Sequence, residues 1–444
     1  MAQLLSNICD YINEKIAVNE LSDKNYISTE NMLPNKSGIV KASTLPNMQL
    51  TPAYQENDVL ISNIRPYFKK IWQAEYYGGC SNDVLVLRAK QFVNPKFLYY
   101  VLSEDKFFDY ATATSKGTKM PRGDKSAIMK YGVPEFSEIE QEKIANILFP
   151  IDKKIAINSA TNNNLEQQAQ AIFKSWFVDF EPFGGTMPKI WKNGTIEDLS
   201  QNIICGKTPS TSKKEYYGND IPFITIPDMH NNTYVTKTER YLSRLGASSQ
   251  KNKILPPNSI CVSCIATAGL VSITAFYSQT NQQINSIIPA QEMSSYYIYL
   301  LLKSLSKKII MLGSSGSTTC NLNKGQFAKI EVIIPDKNVL KKYDEIVSPL
   351  FESIKNNQLE NEQLAQLRDT LLPKLMNGEI DVSKVDIDDI LTNQSADKLL
   401  FSILVFEHLY IKIVILIGVT INTMTIFTSN IIKFKLKKSF TFDN

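Results

Sequence analysis

Apolar residues recur at alternating steps of four and three through the middle of the chain. Ile144, Leu148, Ile151 and Ile155 are followed by Asn158 and Asn162, then by Leu165, Ala169, Ile172 and Trp176. This is the a/d seam of a helix that packs lengthwise against another helix. At 1.5 Å per residue it predicts a helix roughly 50 Å long. Just upstream, Ser137-Glu138-Ile139-Glu140 has the spacing of a capping box, in which serine and Glu140 satisfy orphan amides at a helix start. A second seam steps through Leu340, Tyr343, Val347, Leu350, Ile354, Asn357, Asn361, Leu364, Arg368, Leu371 and Leu375. From Val347 to Leu375 it coincides with the first at an offset of 199 residues, and the asparagines fall at the same place in both. Asparagine in a seam costs stability but fixes register and orientation. Asn158, Asn162, Asn357 and Asn361 are therefore candidate helix-pairing residues, and the two helices are expected to pair with each other. Pro373 predicts that the second helix ends near Leu372, because proline removes an amide and crowds the preceding turn.

The segments between the helices repeat more loosely. Asn57-Asp58-Val59-Leu60-Ile61-Ser62 aligns with Asn258-Ser259-Ile260-Cys261-Val262-Ser263 at an offset of 201. Each precedes a strand-type run of aromatic and β-branched residues. An aromatic-rich helical stretch follows, at 94–110 and 294–310, then a glycine-containing polar loop, at 115–125 and 313–324. A short apolar strand closes each copy at Pro134 and Pro335. The expected fold is α+β: two mixed α/β domains, 1–137 and 184–336, alternating with long helices in 138–183 and 337–380, and an extension over 381–444.

Charge follows the same division. Residues 1–137 carry a net +2 and 184–336 a net +6, whereas 138–183 carry −3 and 337–398 carry −4. Neutral-to-basic domains separated by acidic helices fit a protein that contacts phosphate through its domains. The first residues hold neither a basic run nor a long apolar stretch, so no signal peptide is expected. Six scattered cysteines read as buried thiols of a reducing compartment.

Motifs for chemistry are missing or incomplete. Gly206-Lys207-Thr208 resembles the end of a P-loop, but position 201 is Gln, so the first glycine is absent. There is no GxGxxG, and Leu255-Pro256-Pro257-Asn258 only superficially resembles a methyltransferase Asn-Pro-Pro run. Cys261-Val262-Ser263-Cys264 has no second pair or histidine to complete a zinc site. His230 sits in a polar stretch and reads as a surface residue rather than a catalyst. No metal site, no cofactor and no catalytic residue are expected in this chain.

Several of these segments resemble one family, the specificity subunits of type I restriction-modification systems. The run from Glu140-Gln141-Glu142-Lys143-Ile144-Ala145 to Ala171-Ile172-Phe173-Lys174-Ser175-Trp176-Phe177 is similar to that family's central helical region. Leu364 through Ile380, with Leu371-Leu372-Pro373-Lys374-Leu375, is similar to its second. Gly206-Lys207-Thr208-Pro209-Ser210 with Tyr216-Tyr217-Gly218-Asn219-Asp220-Ile221-Pro222-Phe223 resembles the opening of its target recognition domains. Ser62-Asn63-Ile64-Arg65-Pro66-Tyr67 and Gly117-Thr118-Lys119-Met120-Pro121-Arg122-Gly123 are similar to parts of the same domains. The resemblance covers about residues 1–390. It implies that each domain reads half of a split target in double-stranded DNA and that the helices form an antiparallel coiled coil setting the spacing. It also implies two methyltransferase subunits docked on the scaffold, with ATP-driven restriction subunits as further partners. S-adenosylmethionine, ATP and Mg would then belong to partner subunits, and the complex would be cytoplasmic.

In that light the basic and polar loops become the candidate DNA contacts. They are Arg65, Lys69, Lys70, Lys116, Lys119, Arg122 and Lys125 in the first domain. In the second they are Lys207, Thr208, Lys213, Lys214 and Lys237, with Ser314, Ser315, Ser317 and Thr318 of a hydroxyl-rich loop. Lysine suits phosphate, whereas base choice needs Arg, Asn, Gln or hydroxyls at groove edges. The tail departs from the family. Ile413 through Ile432 carries no charge and is long enough to cross a bilayer. A membrane anchor and an extension from a shifted reading frame or recombined gene end both fit, and the second is the favoured expectation.

Overall fold

The computed structural model describes residues 2–314 and 320–384. The chain forms two compact units, one of Met1–Ile147 with Leu372 onward and one of Leu148–Leu371. The expectations for the 398–444 tail and for Ser315, Ser317 and Thr318 lie outside the described residues.

The strands of the first unit are β1 (Ala2–Leu4), β2 (Cys9–Tyr11), β3 (Lys15–Ala17), β4 (Tyr26–Ile27), β5 (Leu50–Tyr54), β6 (Val59–Ser62), β7 (Ile71–Gln73), β8 (Gly78–Cys80), β9 (Val84–Ala89) and β10 (Gly132–Pro134). They build three sheets, ordered β2-β9-β6-β7, β3-β5-β8-β4 and β1-β10. All four residues of β6 are buried, the apolar run Val59-Leu60-Ile61 together with Ser62, as a central strand requires. Asn94 caps the helix Pro95–Ser103, accepting from the amides of Lys96 and Phe97, with proline at the first turn where no amide is needed.

The second unit repeats the plan. Its strands are β11 (Lys192–Thr195), β12 (Ser200–Cys205), β13 (Tyr217–Gly218), β14 (Ile221–Ile224), β15 (Tyr234–Val235), β16 (Arg240–Leu242), β17 (Ile260–Ser263), β18 (Val271–Thr274), β19 (Gln279–Thr280), β20 (Ile284–Pro289) and β21 (Glu331–Ile334). The order β12-β20-β17-β18 matches β2-β9-β6-β7, with β15 added at the edge, and β11-β21 matches β1-β10. Parallel pairing of β4 with β8 recurs as β14 with β19. The turn before the central strand holds an asparagine with positive φ in each copy, Asn57 at 72° and Asn258 at 64°. Asparagine tolerates that conformation better than most residues, so even this local detail is duplicated.

The long helices span Glu138–Phe177 and Lys337–Met376. The capping box forms at the first: the amide and hydroxyl of Ser137 donate to Glu140 at 2.8 Å, and Glu140 N donates back to Ser137 Oγ at 3.3 Å. Within the second unit the helices pair in antiparallel fashion. Asn158 Nδ2 donates to Asn361 Oδ1 at 2.9 Å, and Asn357 Nδ2 to Asn162 Oδ1 at 2.8 Å. Farther along, Trp176 packs against Tyr343 with ring centroids 5.9 Å apart, and Arg368 donates to Asp152 at 2.8 Å. Each step forward on one helix thus meets a step back on the other. Residue 160 lies opposite residue 359, its own counterpart at the offset of 199, so an approximate two-fold of the pair passes between the two asparagine contacts.

The structure corrects the expected end of the second helix, which runs through Pro373 to Met376. A proline this close to the end removes one bond only, and burial of Leu372, Leu375 and Met376 holds the last turn. Asn377 N donates to the Pro373 carbonyl, and Gly378, at φ 75°, donates to Leu375 O and closes the terminus. Two interior prolines, Pro150 and Pro349, sit at matched positions inside the helices.

In the second unit polar side chains of the helices tie down the neighbouring sheet. Gln358 accepts from Tyr234 N at 3.0 Å and donates to Tyr234 O at 3.2 Å, acting as a strand partner for the edge strand β15. Glu166 accepts from Thr233 Oγ1 at 3.0 Å and Tyr299 OH at 2.9 Å, and is also paired with Lys303.

Candidate nucleic-acid interface

In the first unit the candidate cations gather on two linked loops. The chain leaves β6 through Asn63 and Ile64, and Ile64 bridges to Arg122 of the second loop. Arg65 N donates to Pro121 O, and Gly123 N to Asn63 O, so the loops are joined by backbone bonds on both sides. A third segment joins them, because Asn35 N and Lys36 N donate to the carbonyls of Phe68 and Lys69. The intervening turn, Pro66–Phe68, is flanked by Arg65 and Lys69, both at φ 51°. Left-handed backbone at non-glycine residues costs about 1–2 kcal/mol each, and here the bridges impose it. The turn exposes the rings of Tyr67 and Phe68, 46% and 38% accessible.

Three of the predicted cations are engaged by carboxylates, two of them distant along the chain. Lys69 pairs with Asp105 at 3.0 Å, which also holds Lys36 at 2.8 Å. Lys116 pairs with Asp124 at 2.5 Å and Arg122 with Asp83 at 3.0 Å. Lys70 is half-buried and donates to Thr29 O at 2.6 Å, and burial lowers its ammonium pKa. Arg65 stands 5.9 Å from the Phe68 ring centroid, and its Nε is buried without a partner. Lys119 is exposed and joins no ion pair among the described residues. Lys125 opens the helix Lys125–Ile128, capped by Asp124, and its Nζ lies 5.8 Å from the Tyr11 ring, so it belongs to a helix and not to the loop.

The candidates of the second unit are less concentrated. Lys207 is exposed after β12, and Thr208 donates to Gln282 at 2.7 Å. Lys213 donates to Tyr216 OH at 3.1 Å and lies over that ring, and Lys214 starts the next turn. Lys237 is placed elsewhere: it is the residue after Thr236, which bonds Glu362 of the distal helix, and its charge acts on that carboxylate. Ser314 follows the helix Ser306–Gly313 and is exposed. The loop it opens is closed at its base by Asn321 N donating to Gly313 O, and Asn321 bridges to Ile265. This repeats the Ile64–Arg122 bridge of the first unit.

Sequence reading passed over two features here: Lys36, distant along the chain, and the exposed Tyr67–Phe68 pair. The rings stand in the Tyr67-Phe68-Lys69-Lys70 run, which drew notice only for its cations, whereas Lys36 carries no local signal. Cys261 lies in β17 and Cys264 directly after it; burial pushes both thiols up to about 12, which opposes formation of a reactive or metal-binding thiolate. Among the described residues no group of three His, Cys, Asp or Glu side chains is placed to hold a metal ion, and no helix is long and apolar enough to cross a membrane.

Comparison with known proteins gives a consistent result. The description "Type I restriction modification DNA specificity domain" matches residues 5–167 and 188–368. The type I restriction enzyme HindI specificity subunit of Haemophilus influenzae is 35% identical over 454 residues, covering 85% of this chain and 98% of that protein. The MjaIX specificity subunit of Methanocaldococcus jannaschii is 28% identical over 313 residues, covering 67% of this chain and 71% of that one. The crystal structure of a type I system S subunit from M. genitalium shares the fold, with a TM-score of 0.54 over 85% of this chain and 96% of that chain at 17% identity.

Proposed function

Because the chain belongs to the specificity subunits of type I restriction-modification systems, we propose that its two recognition domains, 1–137 and 184–336, each read one half of a bipartite target in double-stranded DNA. The paired helices hold the half-sites at a fixed spacing and carry two methyltransferase subunits, and restriction subunits join that complex. The chain itself performs no chemistry in this reading. S-adenosylmethionine, ATP and Mg act on the partner subunits, in the cytoplasm.

The observation that carries the reading is the antiparallel helix pair with its asparagine contacts on either side of a two-fold. A duplicated scaffold of this kind presents a partner of one type twice, while the loops around it differ. Where the first domain places cations and aromatics at 65–70 and further cations at 116–122, the second places small and hydroxyl residues at 266–269 and near 314. Identical readers would demand a symmetric target, whereas divergent readers specify two unlike half-sites.

The test is co-expression with a methyltransferase subunit followed by mapping of methylated adenines in the host DNA. A bipartite motif with a constant unread spacer is expected. Methylation without such a motif, or none with the partner bound, overturns the reading. A purely structural adaptor is distinguished by DNA binding, which for a phosphate-contacting protein weakens steeply with salt.

A further inference from the structure

We propose that the Tyr67–Phe68 turn is a base-stacking wedge, through which the first recognition domain engages unstacked nucleobases in its half of the target. The inference rests on the DNA-reading function proposed above and assigns a distinct role to two residues with no charge.

Four observations lead there. The rings are adjacent and exposed on a turn of three residues, their centroids 4.8 Å apart. The turn is held by backbone bonds to two other segments, and the left-handed conformation at both flanks shows that the fold imposes this presentation at a cost. Cations surround it: Arg65 and Lys70 each stand 5.9 Å from the Phe68 centroid, and among the described residues neither joins an ion pair. An apolar tip in a cationic setting fits a polyanion that also offers aromatic faces. An apolar protein surface would leave the Arg65 guanidinium, whose Nε has no partner, uncompensated.

The fourth observation is the second copy. There the same strand end leads to the same bridge, Ile265 with Asn321, and to the same left-handed residue, Ala266 at φ 61°. The segment that follows is Thr267-Ala268-Gly269, with no ring and no cation. The scaffold therefore folds without Tyr67 and Phe68, and a role in folding does not account for them. Exposed aromatics inserted at base steps unstack the duplex and stack on what they release.

The experiment uses the full chain with its methyltransferase partner and a duplex carrying the methylation-mapped target. 2-Aminopurine is placed in turn at each position of the half assigned to the first domain except the methylated adenine, which the methyltransferase itself extrudes. The wild type should raise the fluorescence at one or two adjacent positions. Tyr67→Ala/Phe68→Ala should abolish that rise and weaken target binding at least tenfold. Its slope of log affinity against log salt should stay unchanged, because no phosphate contact is lost. Tyr67→Ser/Phe68→Ser should lose the fluorescence in the same way with an unchanged urea unfolding midpoint, which separates stacking from misfolding. Phe92→Ala, an exposed ring elsewhere in the unit, should behave as wild type. Retained fluorescence and affinity in both double variants overturn the wedge and leave DNA reading intact. Absence of salt-dependent target binding by the wild-type complex overturns the underlying function instead.

Discussion

Arg368 is the one charged residue of the distal seam, and replacing it with alanine should destabilise the helix pair more than any exposed ion pair could. Its guanidinium donates to Asp152 at 2.8 Å and to Asp369 at 3.0 Å, with side-chain exposures of 15% for the arginine and 23% for Asp152. Burial opposes its charge, but Asp152 and then Asp369 raise its pKa above the ordinary value. Breaking a fully buried pair by removing one partner costs about 3–5 kcal/mol, and an exposed pair is worth about 0–1 kcal/mol. The intermediate burial here places Arg368→Ala at about 2–3 kcal/mol, part of it from lost packing of the arginine stem. Asp152→Ala should cost less, about 1–2 kcal/mol, because Asp369 still faces the guanidinium. Asp152→Leu/Arg368→Leu should be near neutral or stabilising, since apolar pairs replace buried ion pairs without loss. Urea unfolding of the full chain, followed by helical ellipticity, gives the midpoints for a double-mutant cycle. If the alanine double variant loses the sum of the single losses, the two residues are uncoupled and the reasoning fails.

Two further outcomes follow from the same geometry. Inserting one heptad into each helix, after residues 160 and 359, should lengthen the pair by about 10 Å and the unread spacer of the mapped motif by about three base pairs; an unchanged spacer would exclude the helices as the ruler. Burial pushes the Glu104 carboxyl up to about 7 from its ordinary 4.5. The unfolded chain therefore ionises first, and the first unit should lose stability as pH rises from about 4.5 through 7, by up to about 3 kcal/mol. Glu104→Gln should remove that loss and raise the unfolding midpoint at pH 8 but not at pH 4, and an equal pH dependence in the variant would count against the shift.

The helices were legible because their signal is periodic and local. A seam at 3.5-residue spacing needs no partner to be seen, and Asn158, Asn162, Asn357 and Asn361 meet across the pair as their shared offset implied. The candidate interface was legible only in part. Its loops stood out by glycine, proline and lysine content, but two of the carboxylates that occupy their cations come from far along the chain: Asp105 for Lys69 and Asp83 for Arg122. No local pattern announces such a pairing. Pro373 misled because its propensity cost is real but small at a helix end whose last turn is buried. Arg368 was read as a seam position, yet its partner Asp152 lies one residue off the opposite seam, where periodicity does not look. Gln358, which completes the edge of β15, is invisible for the same reason.

The central claim, two independent readers on one fixed scaffold, is tested most directly by exchanging residues 184–336 for the corresponding domain of another specificity subunit and mapping methylated adenines. One half of the bipartite motif should change while the other half and the spacer length stay as they were. A motif altered in both halves, or one unchanged by the exchange, would contradict the account.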